Sequence, residues 1–186
     1  MPLRGRSNLI DWNYFFVTTT VVDFIHVFSD DKPCDLLIKN IQHYQKRYKF
    51  NILGYVIMPS HFHWIVETNT KYGTISDIMR DIKKYSAWDI LEYLTKTNSK
   101  YLDSFSRAAI GYKDQSRKFW MKRFDDVAIR NERMFWEKLH YIHKNPVKSG
   151  LIERSEDYKY SSARNYICND HSIIEVDISL AGIEIK

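Results

Sequence analysis

The spacing of apolar and polar residues divides the chain into short strands and longer helices. Asn13–Val22, NYFFVTTTVV, is β-branched and aromatic, with Thr18 and Thr20 set against Val17 and Thr19, which predicts a strand with one half-polar face. After a break at SDDKPCD, Leu37, Ile41 and Tyr44 recur at helical spacing over Leu36–Tyr48. Asn51–Met58 and His61–Thr68 are apolar runs separated by Pro59 and Ser60, a hairpin pattern. Thr74 with Asp77 three residues later marks a helix start, and Ile75, Ile78, Ile82 and Tyr85 carry that helix to about Leu94. From Thr95 to Lys118 the periodicity fades into what reads as a long loop or variable insertion bearing positive charge. Val127–Asn131 predicts a short strand, and Glu132–Asn145 a helix stopped by Pro146. SEDYKYSSARNY then reads as a short helix, and SIIEVDISLAGIEI as a strand or packed tail.

Strand, helix, strand, strand, helix is the order of a split βαβ unit. It predicts an α+β, ferredoxin-like (RRM-like) antiparallel sheet with helices packed on one face. The 186 residues suit one domain, with the variable loop at 95–118 and a C-terminal extension at 150–186. The second arm of the hairpin falls at or beside the sheet centre, so its side chains face either the helices or the open side.

Composition narrows the partner more than the fold. A net charge of +5 and abundant aromatics, 13 Tyr, 10 Phe and 5 Trp, favour an anionic partner such as nucleic acid. Cys34 and Cys168 stand far apart with no C-x-x-C, so neither a thiolate zinc cluster nor a disulfide framework is expected, and a reducing cytoplasm is the simpler setting. No apolar run approaches a membrane span, and the N-terminus lacks the apolar segment of a secretory signal.

Two features carry candidate chemistry. In PSHFHWIVE, Pro59–Glu67, the alternation of a strand sets His61 and His63 on one face and Phe62 on the other. Chance supplies such a triplet in this composition about one time in four, so it is informative only with a second feature. The late helix provides it. Phe135, Leu139 and Ile142 centre its apolar arc, while Tyr141 shares a flank with Lys138 and Asn145, placing a phenol, an ammonium and an amide side by side. His143 lies across the helix from Tyr141 and stays outside this group. Two neutral imidazoles and an oxygen ligand suit Mg²⁺ or Mn²⁺ with open positions better than closed structural zinc. A tyrosine hydroxyl, with a free pKa of about 10, becomes a useful nucleophile when a metal polarises a phosphodiester.

PSHFHWIVE followed by YIHKNPVKSGL resembles the single-tyrosine HUH transposases, most closely their REP-associated tyrosine transposase branch. FWMKRFDDVAIRN, DYKYSSARNY and YFFVTTTVV resemble the same branch, and the resemblance spans roughly residues 12–167, with Thr95–Lys118 as its departure. It implies a ferredoxin-like domain that cleaves single-stranded DNA at hairpin-associated sites, forming a 5′-phosphotyrosine and a free 3′-OH. Matched residue by residue, it implies metal binding by His61, His63 and Asn145, and nucleophilic attack by Tyr141. Asn145 precedes a proline, which raises the expectation that the backbone leaves the helix there. No general acid or base is identifiable, and Lys138 is a candidate for stabilising the tyrosinate or phosphate.

Single-stranded DNA requires cations along a path and aromatic faces beside it. Arg4 and Arg6 in the N-terminal arm, Lys83 and Lys84, and Arg117, Lys118, Lys122 and Arg123 are the candidate backbone contacts. Tyr112 and Trp120 are candidate stacking residues, with core packing favoured for Trp120. Two other readings compete: an RRM-like nucleic-acid-binding module with core histidines, and a domesticated transposase that binds hairpin DNA without moving it. No RNP1-like aromatic pattern supports the first. A homodimer and a monomer both stay open.

Overall fold

The computed structural model describes residues 13–113 and 115–179; Arg4, Arg6 and the last seven residues lie outside them. Four antiparallel strands form one sheet: β1 (Tyr14–Thr20), β2 (Asn51–Met58), β3 (His61–Glu67) and β4 (Asp125–Ala128), in the order β2-β3-β1-β4. This is the split βαβ arrangement. Helices α1 (Asp31–Tyr48) and α2 (Ile75–Lys96) pack together on one face. Their core takes Phe15 and Val17 from β1, Phe62, Trp64 and Val66 from β3, and Tyr55 and Ile57 from β2. Helix α2 begins with a full capping box, Thr74 Oγ1 accepting from Asp77 N while the Asp77 carboxylate accepts from Thr74 N. Helix α1 starts at Asp31, five residues before the periodic stretch, because Pro33 in its first turn lacks only an N–H that would have no helical partner.

The opposite face is covered as well. Short helix α3 (Leu102–Arg107) belongs to the α2 side, but α4 (Glu132–Lys148) lies across β2 and β3. There Phe135, Leu139 and Ile142 meet Phe16, Leu53, Val56 and Ile65. The expected one-sided packing therefore describes α1 and α2, and α4 adds a third layer. Gly54 permits its close approach: a Cβ at that position would stand 2.6 Å from Leu139 Cδ1.

Pro146 does not stop α4, which runs on to Lys148. The proline falls in the last turn, where it forfeits only the one helical bond its N–H would have made to the Ile142 carbonyl, and its ring is buried. The carbonyls at the proline still find donors: Asn145 O accepts from Ser149 N at 3.0 Å and Pro146 O from Leu151 N at 3.0 Å. The start of α4 explains a second difference. Asn131, expected to end a strand, caps the helix instead, its Oδ1 accepting from Met134 N at 2.8 Å, so β4 ends at Ala128.

Residues 95–118 are more structured than their polarity suggests. They contain α3, and the Phe105 ring packs tilted against Phe119 at 5.1 Å within the α2-side core. The stretch read as a single short helix after α4 is divided into a 3₁₀ turn at Ser155–Asp157, an extended piece, and α5 (Ala163–Cys168). Its middle is extended because it closes the open edge of β2. Ile57 N donates to Tyr160 O at 2.9 Å, Ser162 N to Tyr55 O at 2.9 Å, and the Tyr158 and Tyr166 hydroxyls to Ile57 O and Leu53 O. The described part of the tail beyond α5, to Ser179, is packed without becoming a strand: Ile174 and Val176 are buried, and Asp177 N donates to Ile52 O at 2.9 Å.

Ser162 ties this closure to α4. Its Oγ accepts from Tyr55 N at 2.9 Å and stands 2.8 Å from His143 Nε2, which leaves the hydroxyl hydrogen for a neutral imidazole. Burial, reinforced by neighbouring His140, pulls His143 down to about 4, in keeping with that neutral state. Ser162→Ala removes a partner from two buried polar groups at once. A loss of about 1–3 kcal/mol in unfolding free energy is expected by urea denaturation, with the m-value unchanged.

Candidate active site

Both histidines are delivered by a tight hairpin on a strand paired on both sides. His61 lies opposite Met58 and Thr20, and His63 opposite Val56 and Thr18. The turn before them is clamped by the connection from β1 to α1: Val21 N donates to Ser60 O at 2.8 Å and Phe28 N to Pro59 O at 2.9 Å. Phe62 points into the α1–α2 core, so the strand presents its two imidazoles to the α4 side, with ring centroids 4.8 Å apart.

His63 is buried, with Nδ1 2.7 Å from Thr18 Oγ1. Its Nε2 is also buried and has no hydrogen-bond partner among the described residues. Desolvation, with smaller contributions from His61 and Lys138, draws its pKa down to about 3. His61 is half-buried, with Nδ1 3.2 Å from Ser60 Oγ, and is lowered by desolvation and then by His26. Both rings are thus held in the neutral form that can donate a lone pair.

Tyr141 meets this pair from α4. Its ring stands edge-on to His63 at 5.2 Å and remains 43% exposed. Phe16 organises the contact: it stacks on His63 at 5.5 Å, meets Tyr141 edge-on at 6.0 Å, and carries Lys138 Nζ 4.9 Å above its ring. Asn145 keeps helical backbone one turn beyond Tyr141 and is half-buried, so the two side chains leave the same flank of α4. His143 points away from this group, toward Ser162 and Tyr166. Among the described residues no third His, Cys, Asp or Glu joins the pair in a cluster able to hold a metal.

The remaining cations gather elsewhere. Lys83, Lys84, Arg117, Lys118 and Lys122 line one groove on the α2 side of the sheet, while Arg123 is exposed beside it. Lys83 is held by Met121 O at 2.9 Å, and burial, then Lys118, lowers its ammonium to about 8. Trp120 is buried against Phe28 and Phe62, whereas Tyr112 is exposed.

Phe16, Thr18 and His26 were not singled out by the sequence. Thr18 left a trace, as a polar residue alternating within an apolar strand. Phe16 is hidden among aromatic neighbours, and His26 lies in a connection with no periodicity to place it.

A family model described as "Transposase IS200 like" matches residues 17–145, from within β1 to the turn of α4 after Tyr141. The molecule is an enzyme of the transposase kind. More specifically, the chain belongs to the IS200-like transposase family, and the curated proteins it matches are REP-associated. It is 28% identical over 113 residues to the REP-associated tyrosine transposase of Escherichia coli, covering 61% of this chain and about half, 54%, of that protein. It is 23% identical over 146 residues to a Haemophilus influenzae protein provisionally given the same name, covering 75% of this chain and 77% of the relative. The fold is shared with the structure of a REP-associated tyrosine transposase bound to a REP hairpin, at a TM-score of 0.63 and 21% identity, covering 90% of this chain and 87% of that one. Among the described residues no helix is long and apolar enough to cross a membrane.

Imidazole ¹H–¹⁵N spectra of the metal-free protein check the electrostatics. His63 is expected to stay neutral from pH 8 to pH 5 and to protonate only near pH 3. The unfolded chain takes up that proton near 6.5, so this group's contribution to stability is present above 6.5 and is lost as pH falls toward 3. A ring titrating near 6.5 would contradict the buried geometry.

Proposed function

We propose that this chain is a divalent-metal-dependent DNA strand transferase that cuts single strands beside hairpins through a 5′-phosphotyrosine, with Tyr141 as nucleophile. One observation carries the reading: an exposed tyrosine lies edge-on, at 5.2 Å, to a buried neutral histidine whose Nε2 has no partner among the described residues.

The donor set fits a metal of this class. With Nδ1–H donated to Thr18 Oγ1, the His63 Nε2 lone pair is free, and His61 beside it supplies a second nitrogen. The Asn145 carboxamide is the oxygen we assign as third ligand. Two imidazoles and one amide leave positions open, which suits Mg²⁺ or Mn²⁺. Such an ion, when bound, supplies polarisation of the scissile phosphate.

The chain's own groups account for the rest. Phe16 and His63 hold the Tyr141 ring on two sides while the residue stays exposed. Tyr141 Oη attacks phosphorus in line, and the bond from phosphorus to the 3′ oxygen breaks. The phenolic proton passes to solvent and the leaving oxygen takes one up, giving a free 3′-OH. The phosphotyrosine linkage retains the energy of the broken phosphodiester, so a 3′-OH can reverse the step without a nucleotide cofactor. Lys138, set over Phe16, offers positive charge to the phosphate. The proximity of Tyr141 to His63 of its own chain supports cleavage in cis.

The substrate assignment draws on the relatives' names and on the hairpin held by the solved neighbour. A sheet-surface RNA-binding module is disfavoured, because one face of the sheet lies under α1 and α2 and the other under α4.

The test uses a pool of single strands carrying hairpins flanked by randomised sequence, incubated with Mn²⁺. A covalent protein–DNA adduct is expected on denaturing gels, absent with EDTA and absent in Tyr141→Phe. Asn145→Ala should weaken Mn²⁺ binding by about 10- to 100-fold, measured by calorimetry without DNA. An adduct that survives Tyr141→Phe would remove Tyr141 from this role.

A further inference from the structure

The groove of about 650 Å³ between α2 and the returning segment 112–122 is not part of the histidine–tyrosine site. Its walls combine two features that the core does not require. Trp88 on α2 is 59% exposed and Tyr112 on the facing segment 41% exposed, and both line the cavity. Each has an ammonium beside its ring: Lys84 Nζ lies 5.1 Å from the Trp88 centroid, and Lys118 Nζ lies 4.6 Å from that of Tyr112. Isolated exposed aromatics are ordinary on protein surfaces. Two of them across one cavity, each paired with a cation, are a different arrangement.

We infer that this groove is a subsite for a single-stranded stretch of DNA, in which Trp88 and Tyr112 take bases while Lys84, Lys118 and Arg117 take phosphates. The inference rests on the DNA reading proposed above and adds the place where the strand outside the cleavage site is held.

Aromatic faces favour a single strand over a duplex. Paired bases are already stacked on each other and would gain nothing from Trp88, whereas an unpaired base gains a stacking partner of any sequence. The wall is also pre-formed, so binding orders little. Arg117 donates to Thr95 Oγ1 at 2.6 Å, Lys118 N to Phe105 O at 2.9 Å, and Trp120 Nε1 to Ser86 Oγ at 3.2 Å. Glu92, the acidic side chain in the lining, is neutralised by Lys96 at 2.5 Å.

The wall of the groove is joined through its backbone to the strand beside the histidines. Trp120 bridges to Val21, and Met121 N donates to Thr20 O at 2.9 Å, the residue opposite His61. Four residues on, Asp125 pairs with Thr18, the residue bonded to His63. Exposed Lys122 and Arg123 fall between these two attachments, along the sheet edge at the level of both histidines. A strand passing from Tyr141 on the α4 face to the groove on the α2 face would round the sheet edge at Lys122 and Arg123.

Fluorescence anisotropy on the full chain, with labelled dT₁₂, an abasic strand of the same length and a 12-bp duplex, tests the assignment. The wild type should bind dT₁₂ more tightly than the abasic strand. The Trp88→Ala/Tyr112→Ala variant should lose roughly five- to hundredfold in dT₁₂ affinity and no longer distinguish the two. Trp88→Phe should retain most of the affinity, which a merely misfolded variant would not. Photocrosslinking of a 5-iododeoxyuridine strand should map to Trp88 or Tyr112. Equal binding of dT₁₂ and the abasic strand, tighter binding of the duplex or of U₁₂, or an unaffected double variant would each overturn the inference. The Tyr141 adduct, scored separately at saturating DNA, should persist in the double variant. A normal adduct without base-dependent binding therefore sinks the groove alone, and base-dependent binding without any adduct sinks the nucleophile alone.

Discussion

The register of β3 is the constraint on which the rest of the structure depends. The strand is paired on both sides, so no shift along β1 is possible without a matching shift along β2. A slip of one residue would turn Phe62 and Trp64 out of the α1–α2 core and bring both imidazoles into it. The apolar side chains thereby hold the polar ones in place, and the geometry at His63 is a by-product of burying its neighbours. Thr18 belongs to the same constraint, because it meets His63 only in this register.

Once β3 is set, α4 has little freedom. Its apolar arc fits the surface around Gly54, where the absence of a side chain lets Leu139 sink toward the sheet. That depth determines where Tyr141 sits. It brings the phenol against His63 and Phe16 while leaving nearly half of the residue accessible. Desolvation then acts unequally on the assembled groups: the histidines are driven neutral, and Lys138 lies over an aromatic face.

Periodicity made the strands, the three long helices and the Tyr141 flank legible in the chain itself. Alternation in β3 and the 3.6-residue repeat of α4 are local signals, and each survives packing because packing is what they encode. Other features escaped for the same reason. Pro146 is a helix breaker by local rules, yet its place in a last turn and its burial override them. Polar composition hid α3 and the Phe105–Phe119 contact, since two aromatics 14 residues apart carry no period. Trp88 on α2 was invisible as a site residue because its partner wall arrives from 112–122, a long-range approach that no local pattern announces. Phe16 is a similar case, its importance coming from three neighbours on two other elements, His63 on β3 and Lys138 and Tyr141 on α4.

The segment after α4 has a consequence for the order in which this molecule can become complete. Backbone groups of Ile52, Leu53, Tyr55 and Ile57 along β2 find their partners among residues 158–177, at the far end of the described chain. Until that stretch has been synthesised, β2 is a bare edge beside a buried hairpin, open to pairing with any other nascent strand. The histidine pair can be in register earlier, but the layer that bears Tyr141 is locked to the sheet only when Ser162 reaches both Tyr55 and His143. The tyrosine proposed as nucleophile is thus secured last, by residues outside the proposed site.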